Sequence, residues 1–201
     1  MEDELRRSNL LDDADVARFF WRGHVVYESG EHGDTWLALD LLFANPRRLQ
    51  RAAARLAERL RPFAPEVVCG PLIGGALVGQ WIAYELDTTF VVATPRPSAS
   101  VAGPIYAVPS VLRPALLGKR VVVVDDVINA GAATLATVRE VEAWGGSVVA
   151  VAALIVRAPG AVDAWKARGL AVEYLVGLSW NTWAVADCPL CRGGVPIESP
   201  A

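Results

Sequence analysis

The sequence predicts a doubly wound α/β domain with a mainly parallel sheet, and three observations carry that prediction. Valine-rich runs, the strongest being Arg120 to Asp125 with four consecutive valines, suit strands buried on both faces. Segments with helical spacing stand between these runs, so strand and helix alternate along the chain. Glycine-rich turns at 70–75 and 129–133 fall where a strand gives way to a helix. The 201 residues fit one such domain, with about 1–45 as N-terminal elements, about 46–180 as the core and 181–201 as a tail.

Taken in order, the chain begins Met1-Glu-Asp-Glu-Leu-Arg-Arg, which is acidic and lacks the apolar core of a signal peptide, so export is not expected. From about Arg47 to Leu60 the residues Leu49, Ala52, Ala53, Leu56 and Leu60 keep helical spacing between Pro46 and Pro62. Arg47, Arg51, Arg55 and Arg59 lie on the other face, which reads as solvated. Glu66 to Cys69 is a short apolar strand, Gly-Pro-Leu-Ile-Gly-Gly a turn, and about Ala76 to Leu86 a helix. A strand from about Thr89 to Ala93 leads into Thr94 to Gly118, whose five prolines and weak periodicity mark a functional or mobile loop. The valine strand should lie centrally. After it come the loop Asn129-Ala-Gly-Ala-Ala and a helix with Leu135, Val138, Val141 and Trp144 on one side, closed by Gly145-Gly146. An apolar strand from Ser147 to Val156 and a last helix and strand through Val162 to Gly177 complete the alternation.

Composition narrows the function. A formal net charge of −3 argues against bulk attraction to nucleic acid or an anionic membrane. Val67 to Tyr84 runs 18 residues without a charge, but Pro71 and Gly70, Gly74, Gly75 and Gly79 divide it into strand, turn and core helix, so no membrane span is expected. Three cysteines, Cys69, Cys188 and Cys191, imply no disulfide framework and fit a reducing cytoplasm. The ligand must therefore be sought in a site.

In an open parallel sheet, ligands sit beyond the carboxyl ends of the strands. Val-Val-Val-Val-Asp125-Asp126-Val-Ile-Asn129-Ala130-Gly131-Ala132-Ala133-Thr134 puts two carboxylates at a strand end and follows them with a loop of small residues that opens a helix. Backbone N–H groups of such a loop can cradle a phosphate, while the carboxylates accept hydrogen bonds from vicinal hydroxyls. The dinucleotide fingerprint fails because its G-x-G-x-x-G precedes its acid by about twenty residues, and the lysine of a Walker loop is missing.

These residues resemble the 5-phosphoribosyl-1-pyrophosphate (PRPP) motif of type I phosphoribosyltransferases, and nearly the whole chain resembles the orotate phosphoribosyltransferases. The resemblance implies a small N-terminal hood over the sheet. It implies that Asp125 and Asp126 bind the ribose hydroxyls and stabilise an oxocarbenium-like transition state, and that Asn129, Ala130, Gly131, Ala132, Ala133 and Thr134 hold the 5′-phosphate. Cys69-Gly70-Pro71-Leu-Ile-Gly74-Gly75 is similar to the family's pyrophosphate loop, with Arg96 as a further PRPP contact. His24-Val-Val-Tyr-Glu-Ser29-Gly30-Glu-His32 is similar to its N-terminal stretch, which implies base contacts from Ser29, Gly30 and His32. Arg157 matches an arginine that reaches the carboxylate of orotate, as a planar guanidinium can do bidentately. Mg²⁺ as cofactor and a homodimer are implied in the same way.

The tail Cys188-Pro-Leu-Cys191-Arg-Gly-Gly-Val-Pro196-Ile is very like that of one bacterial branch. A single C-x-x-C pair supplies two of zinc's four ligands, so a metal there would need a partner subunit, and the tail reads as structural with no metal ligand assigned. The chain also departs from the family. Thr94 to Gly118 holds Arg96 and Arg113 but no lysine or histidine, where the family carries a basic mobile loop. Thr94 and Pro95 replace a charged pair, Asn129 and Ala132 replace threonines, and only Lys119 and Arg120 stand near enough in sequence to compensate. Three readings follow: transfer of phosphoribose to orotate, transfer to another base, or a PRPP- or nucleotide-binding regulator of the same fold with weak or no catalysis.

Overall fold

The computed structural model describes residues 1–11, 16, 18–27, 29–97, 105–157 and 160–199. Six strands form the main sheet in the order β5-β4-β3-β6-β7-β8. They are β3 (Val67–Pro71), β4 (Thr89–Arg96), β5 (Ile105–Ala107), β6 (Arg120–Ile128), β7 (Ser147–Arg157) and β8 (Ala171–Leu178). All neighbours in it are parallel except β4 and β5. The valine strand β6 lies between β3 and β7 as expected, and its side chains divide by period two. Val122 and Val124 enter the apolar core on one face, with Leu56, Ile82 and Leu154, while Val121 and Val123 enter the other, with Val138, Val141 and Trp165.

Helices cover both faces. They are α1 (Glu2–Ser8), α2 (Asp40–Phe43), α3 (Pro46–Leu60), α4 (Gly74–Leu86), α5 (Ala132–Ala143), α6 (Gly160–Lys166) and α7 (Pro189–Arg192). Helix α3 begins where the sequence says, with Pro46 in its first turn and the Asn45 side chain accepting from the Arg48 N–H. Its arginine face is less free than expected: Arg55 donates to the Ser8 carbonyl and Arg59 to that of Tyr174, tying the helix to α1 and β8. Among the described residues no helix is long and apolar enough to cross a membrane.

The prolines of Thr94 to Gly118 do not keep that segment free of secondary structure. Its two ends pair as an antiparallel hairpin, with Thr94 opposite Ala107, Pro95 opposite Tyr106 and Arg96 opposite Ile105. Proline is tolerated there because such pairing needs a backbone N–H only at alternate residues. Residues 98–104 of the segment lie outside the described residues.

A second, three-stranded sheet is built from β1 (Phe20–Val26), β2 (His32–Leu37) and β9 (Thr182–Trp183), in the order β1-β2-β9. This hood joins both ends of the chain. Residues from 181 onward therefore complete the N-terminal elements, since Thr182 pairs with Gly33 and the Asn181 side chain donates to Asp34 at 2.6 Å.

Candidate active site

At the carboxyl end of β6 the chain leaves Val124 and presents Asp125 and Asp126. Asp125 is only 6% exposed. Its carboxylate accepts from Thr134 Oγ1 at 2.7 Å and from the Asp126 N–H at 3.1 Å. Burial and, next, the adjacent Asp126 push its carboxyl well above the usual carboxylate range. Asp126 is oriented by the Val127 N–H at 2.8 Å. Asp125 thus favours its neutral form until a cation or hydroxyl donors arrive.

The next turn is open to an anion. Gly131, with φ 78°, occupies a left-handed conformation that side chains rarely adopt, and it caps α5 without a side chain. The first hydrogen bond along the helix axis runs from the Leu135 N–H to the Gly131 carbonyl. The N–H groups of Ala132, Ala133 and Thr134 therefore stand ahead of the ladder at the positive end of a helix of 12 residues.

These elements meet in one cleft of about 270 Å³. Asp125, Asp126 and all of Asn129 to Thr134 line it, as do Pro71, Leu72, Ile73 and Gly74 from the turn after β3. Gly74 is required by closeness: a Cβ there would collide with the Asp126 carboxyl. Gly70 and Gly75 do not line the cleft. They pack backbone against backbone beneath it, so their smallness serves the turn itself.

The hood supplies the opposite wall. Ser29, Tyr27, Thr35, Trp36, Leu37 and Leu39 line it, and Trp180 closes it from the chain beyond β8. Tyr27 stacks on Trp36 with ring planes 7° apart, and burial, then Asp34, pushes its phenol up to about 12. Tyr27, Trp36, Leu72, Ile73, Tyr106 and Trp180 are lining residues that the sequence reading missed. The placement of Trp180 just beyond a parallel strand's carboxyl end was the available signal.

Arg157 ends β7 half-buried and does not itself line the cleft; it lies within electrostatic reach of the lining residue Tyr27, and its Nε has no hydrogen-bond partner among the described residues. Asn129 Oδ1 and Trp180 Nε1, from residues that do line it, are likewise buried without one. An unsatisfied buried polar group costs about 1–3 kcal/mol, so two of them around one cleft mark where a polar ligand completes the bonding.

Several expected contacts are not brought here. Arg96 stands exposed at the end of β4, outside the cleft, because the hairpin carries it past the sheet edge. Gly30 sits in the exposed turn between β1 and β2 with φ 82°, shaping the Tyr27 to Glu31 loop without lining the cleft. His32 is corrected outright. It is 5% exposed and does not line the cleft; its ring instead faces His24 and Cys191. Lys119 and Arg120 cannot compensate for a missing loop lysine. They begin β6, about 17 Å from its acidic end at about 3.3 Å per residue, with Lys119 paired to Glu66 at 2.7 Å. Arg113 stacks on Trp144 at 4.1 Å, beside the C-terminal end of the helix whose other end forms the anion turn.

A mainly parallel sheet whose central strand carries two acids near its carboxyl end, beside an open helix N-terminus, defines a phosphoribosyl-transfer scaffold, and the comparison with known families agrees. Residues 39–187 match the model of the phosphoribosyl transferase domain, and the chain belongs to that family. Its relatives include the orotate phosphoribosyltransferase of Caldanaerobacter subterraneus subsp. tengcongensis, 28% identical over 98% of this chain and 97% of that protein. The orotate phosphoribosyltransferase of Thermotoga petrophila is 29% identical over 89% of each chain. Among solved structures, the Mycobacterium tuberculosis orotate phosphoribosyltransferase in complex with Fe(III) dicitrate superposes with a TM-score of 0.64 at 26% identity, covering 86% of this chain and 96% of that one.

Proposed function

We propose that the protein transfers phosphoribose from PRPP to orotate, giving orotidine 5′-monophosphate and pyrophosphate in pyrimidine nucleotide synthesis. The observation that carries this reading is the convergence, in one cleft, of an acidic pair, an uncapped helix N-terminus and two buried polar atoms without partners, Asn129 Oδ1 and Trp180 Nε1. Near full-length likeness to proteins named for that reaction supports it.

Each residue then has a physical task. The N–H groups of 132–134 receive the 5′-phosphate. Asp125 and Asp126 accept from the ribose hydroxyls, and their negative charge stabilises the positive charge that develops at the anomeric carbon as pyrophosphate leaves. The turn of Pro71 to Gly74 lies on the other side of Asp126, where the leaving group would depart. Arg157 pairs with the orotate carboxylate, while Tyr27, Trp36 and Trp180 form the walls for the ring.

Mg²⁺ suits this donor set. Magnesium is ordinarily held by one or two carboxylates together with substrate phosphates and water, and the exposed edge of the Asp pair provides that much and no closed cage. When bound, it would neutralise the phosphates. We further propose a homodimer working in the cytoplasm. Neither described cation of the segment 94–118 reaches the cleft, so leaving-group charge must be met by Mg²⁺, by the turn after β3 or by a second copy.

That same shortage favours, as a second reading, a PRPP-binding protein with weak catalysis. Orotate consumption measured with PRPP and Mg²⁺, alongside calorimetric titration of PRPP alone, separates the two. Turnover with orotate in preference to other bases is expected. Tight PRPP binding with no turnover would establish the second reading instead.

A further inference from the structure

A second cluster of reactive side chains lies in the hood outside the cleft lining. His24 comes from β1, His32 begins β2, and Cys188 and Cys191 flank the start of α7. One ligand-capable atom from each, the four atoms lying within 4.8 Å of one another, converges on a common point. His24, His32 and Cys188 are buried, Cys191 is exposed, and both thiols are free.

The local fold makes this convergence. The β1–β2 ladder slips by one residue between Arg22 and Val25, and the strict alternation of buried and exposed residues breaks there, leaving His24 and Val25 both buried. Such a bulge re-aims a side chain. Here it turns the His24 ring toward His32, with ring centroids 4.8 Å apart. The tail is laid against the same hairpin, its Glu198 N–H donating to the His24 carbonyl at 2.7 Å.

Hydrogen-bond arithmetic shows what the cluster lacks. His24 Nδ1 lies 2.7 Å from the Val195 carbonyl, which can only accept, so the ring proton sits on Nδ1 and Nε2 keeps its lone pair. That lone pair faces His32 Nδ1 at 2.7 Å, Cys188 Sγ at 3.5 Å and Cys191 Sγ at 3.7 Å, while Cys191 Sγ also lies 3.3 Å from His32 Nδ1. Three neighbours thus converge on an acceptor that can serve one of them. A cation at the centre would use all four atoms at once.

We propose that His24, His32, Cys188 and Cys191 bind one zinc ion tetrahedrally. With Zn–N near 2.0–2.1 Å and Zn–S near 2.3 Å, ligand atoms around zinc stand about 3.3–3.8 Å apart, within an ångström of the spacings found here. The Val195 carbonyl on His24 Nδ1 is the outer partner that fixes a metal-bound imidazole in its tautomer. Both thiols bind as thiolates and release their protons to solvent. A surface hollow lined by His24, Leu190 and Val195 gives the ion a way in. The earlier requirement for a partner subunit falls away, because the two missing ligands come from the same chain, about 160 residues upstream. The ion would fasten the tail to the hairpin that carries Thr35, Trp36 and Leu37 into the cleft.

The test is elemental analysis of the purified full-length protein after dialysis, with no substrate present, so that its outcome is independent of any transfer reaction. We expect about one zinc per chain, retained in Asp126→Asn and reduced at least about tenfold in the exposed-ligand variant Cys191→Ser. In the unmutated protein, replacement by Co²⁺ is expected to give the intense visible bands and thiolate charge-transfer absorption of a tetrahedral S₂N₂ site, a readout that needs no variant to fold. Zinc-free protein that takes up no Co²⁺ would overturn the proposal, whether its two thiols titrate as free or prove to be joined as a disulfide. Zinc retained in both Cys191→Ser and His24→Ala would overturn it as well.

Discussion

The two walls of the cleft are made in opposite ways. The wall proposed to hold the sugar phosphate comes from one stretch of ten residues, Asp125 to Thr134, in which a buried strand, a glycine turn and a helix N-terminus follow without interruption. The hood wall is assembled from residues far apart in sequence, with Tyr27 and Trp36 near one end of the chain and Trp180 near the other. A contiguous wall is held by one continuous run of strand, turn and helix. A composite wall depends on whatever joins its parts. Its pieces are the Asn181–Asp34 hydrogen bond, the short β2–β9 pairing and the cluster at His24.

This contrast can be broken or sharpened by experiment. The largest effect belongs to the contiguous wall. Asp126→Asn is expected to lower turnover by about 10²-fold or more and to abolish measurable PRPP binding, with unchanged circular dichroism. Retained affinity in calorimetry would mean that the sugar sits elsewhere. Arg157→Ala should act on orotate alone, raising its KM by about 10- to 100-fold while PRPP affinity is kept, because a charged hydrogen bond contributes about 1.5–3 kcal/mol. Equal loss for both substrates would show that the two walls are not separable.

A third expectation concerns pH. Burial raises the Asp125 carboxyl above its unfolded value, so the folded state holds a proton over a window where the unfolded chain has lost it. Stability of the ligand-free protein is therefore full below the ordinary carboxylate range and falls as pH rises toward the folded value, by about 1.4 kcal/mol per pH unit while the difference lasts. Thermal melts of Asp125→Asn should lack this slope and run hotter than the parent near neutrality. A parent melt that is flat across the window would contradict it. The smallest effect is expected from Lys119→Ala, which removes an exposed pair with Glu66 at the amino end of the sheet and should leave kcat/KM unchanged. A clear loss there would place a distal residue in the chemistry.

How much of this was legible in the sequence follows the same division. The order of strands and helices, the central place of the valine strand and the small-residue cradle could all be read, because apolar period and turn chemistry are local signals. Pairing of Thr94 to Arg96 with 105–107 could not, since prolines hide an edge strand from propensity. His32 was drawn to the cleft by likeness to a family segment, while its true partners lie at positions 24 and 191, beyond any local pattern. Cys188 and Cys191 looked like half a site because sequence distance concealed the other half. Cys69, the third thiol, is a core residue whose burial, with Glu140 nearby, pushes it up to about 12.

The pairing of β9 with β2 has a temporal consequence. During synthesis the chain emerges at about 5–20 residues per second, so Asp125 to Thr134 leave the ribosome about 2–10 seconds before Trp180 and the third hood strand. A nascent chain halted near residue 175 would possess the acids and the anion turn but lack Trp180, Asn181 and the third hood strand. On the proposed roles, the residues that hold the activated sugar emerge first, and the wall that chooses its acceptor is completed last.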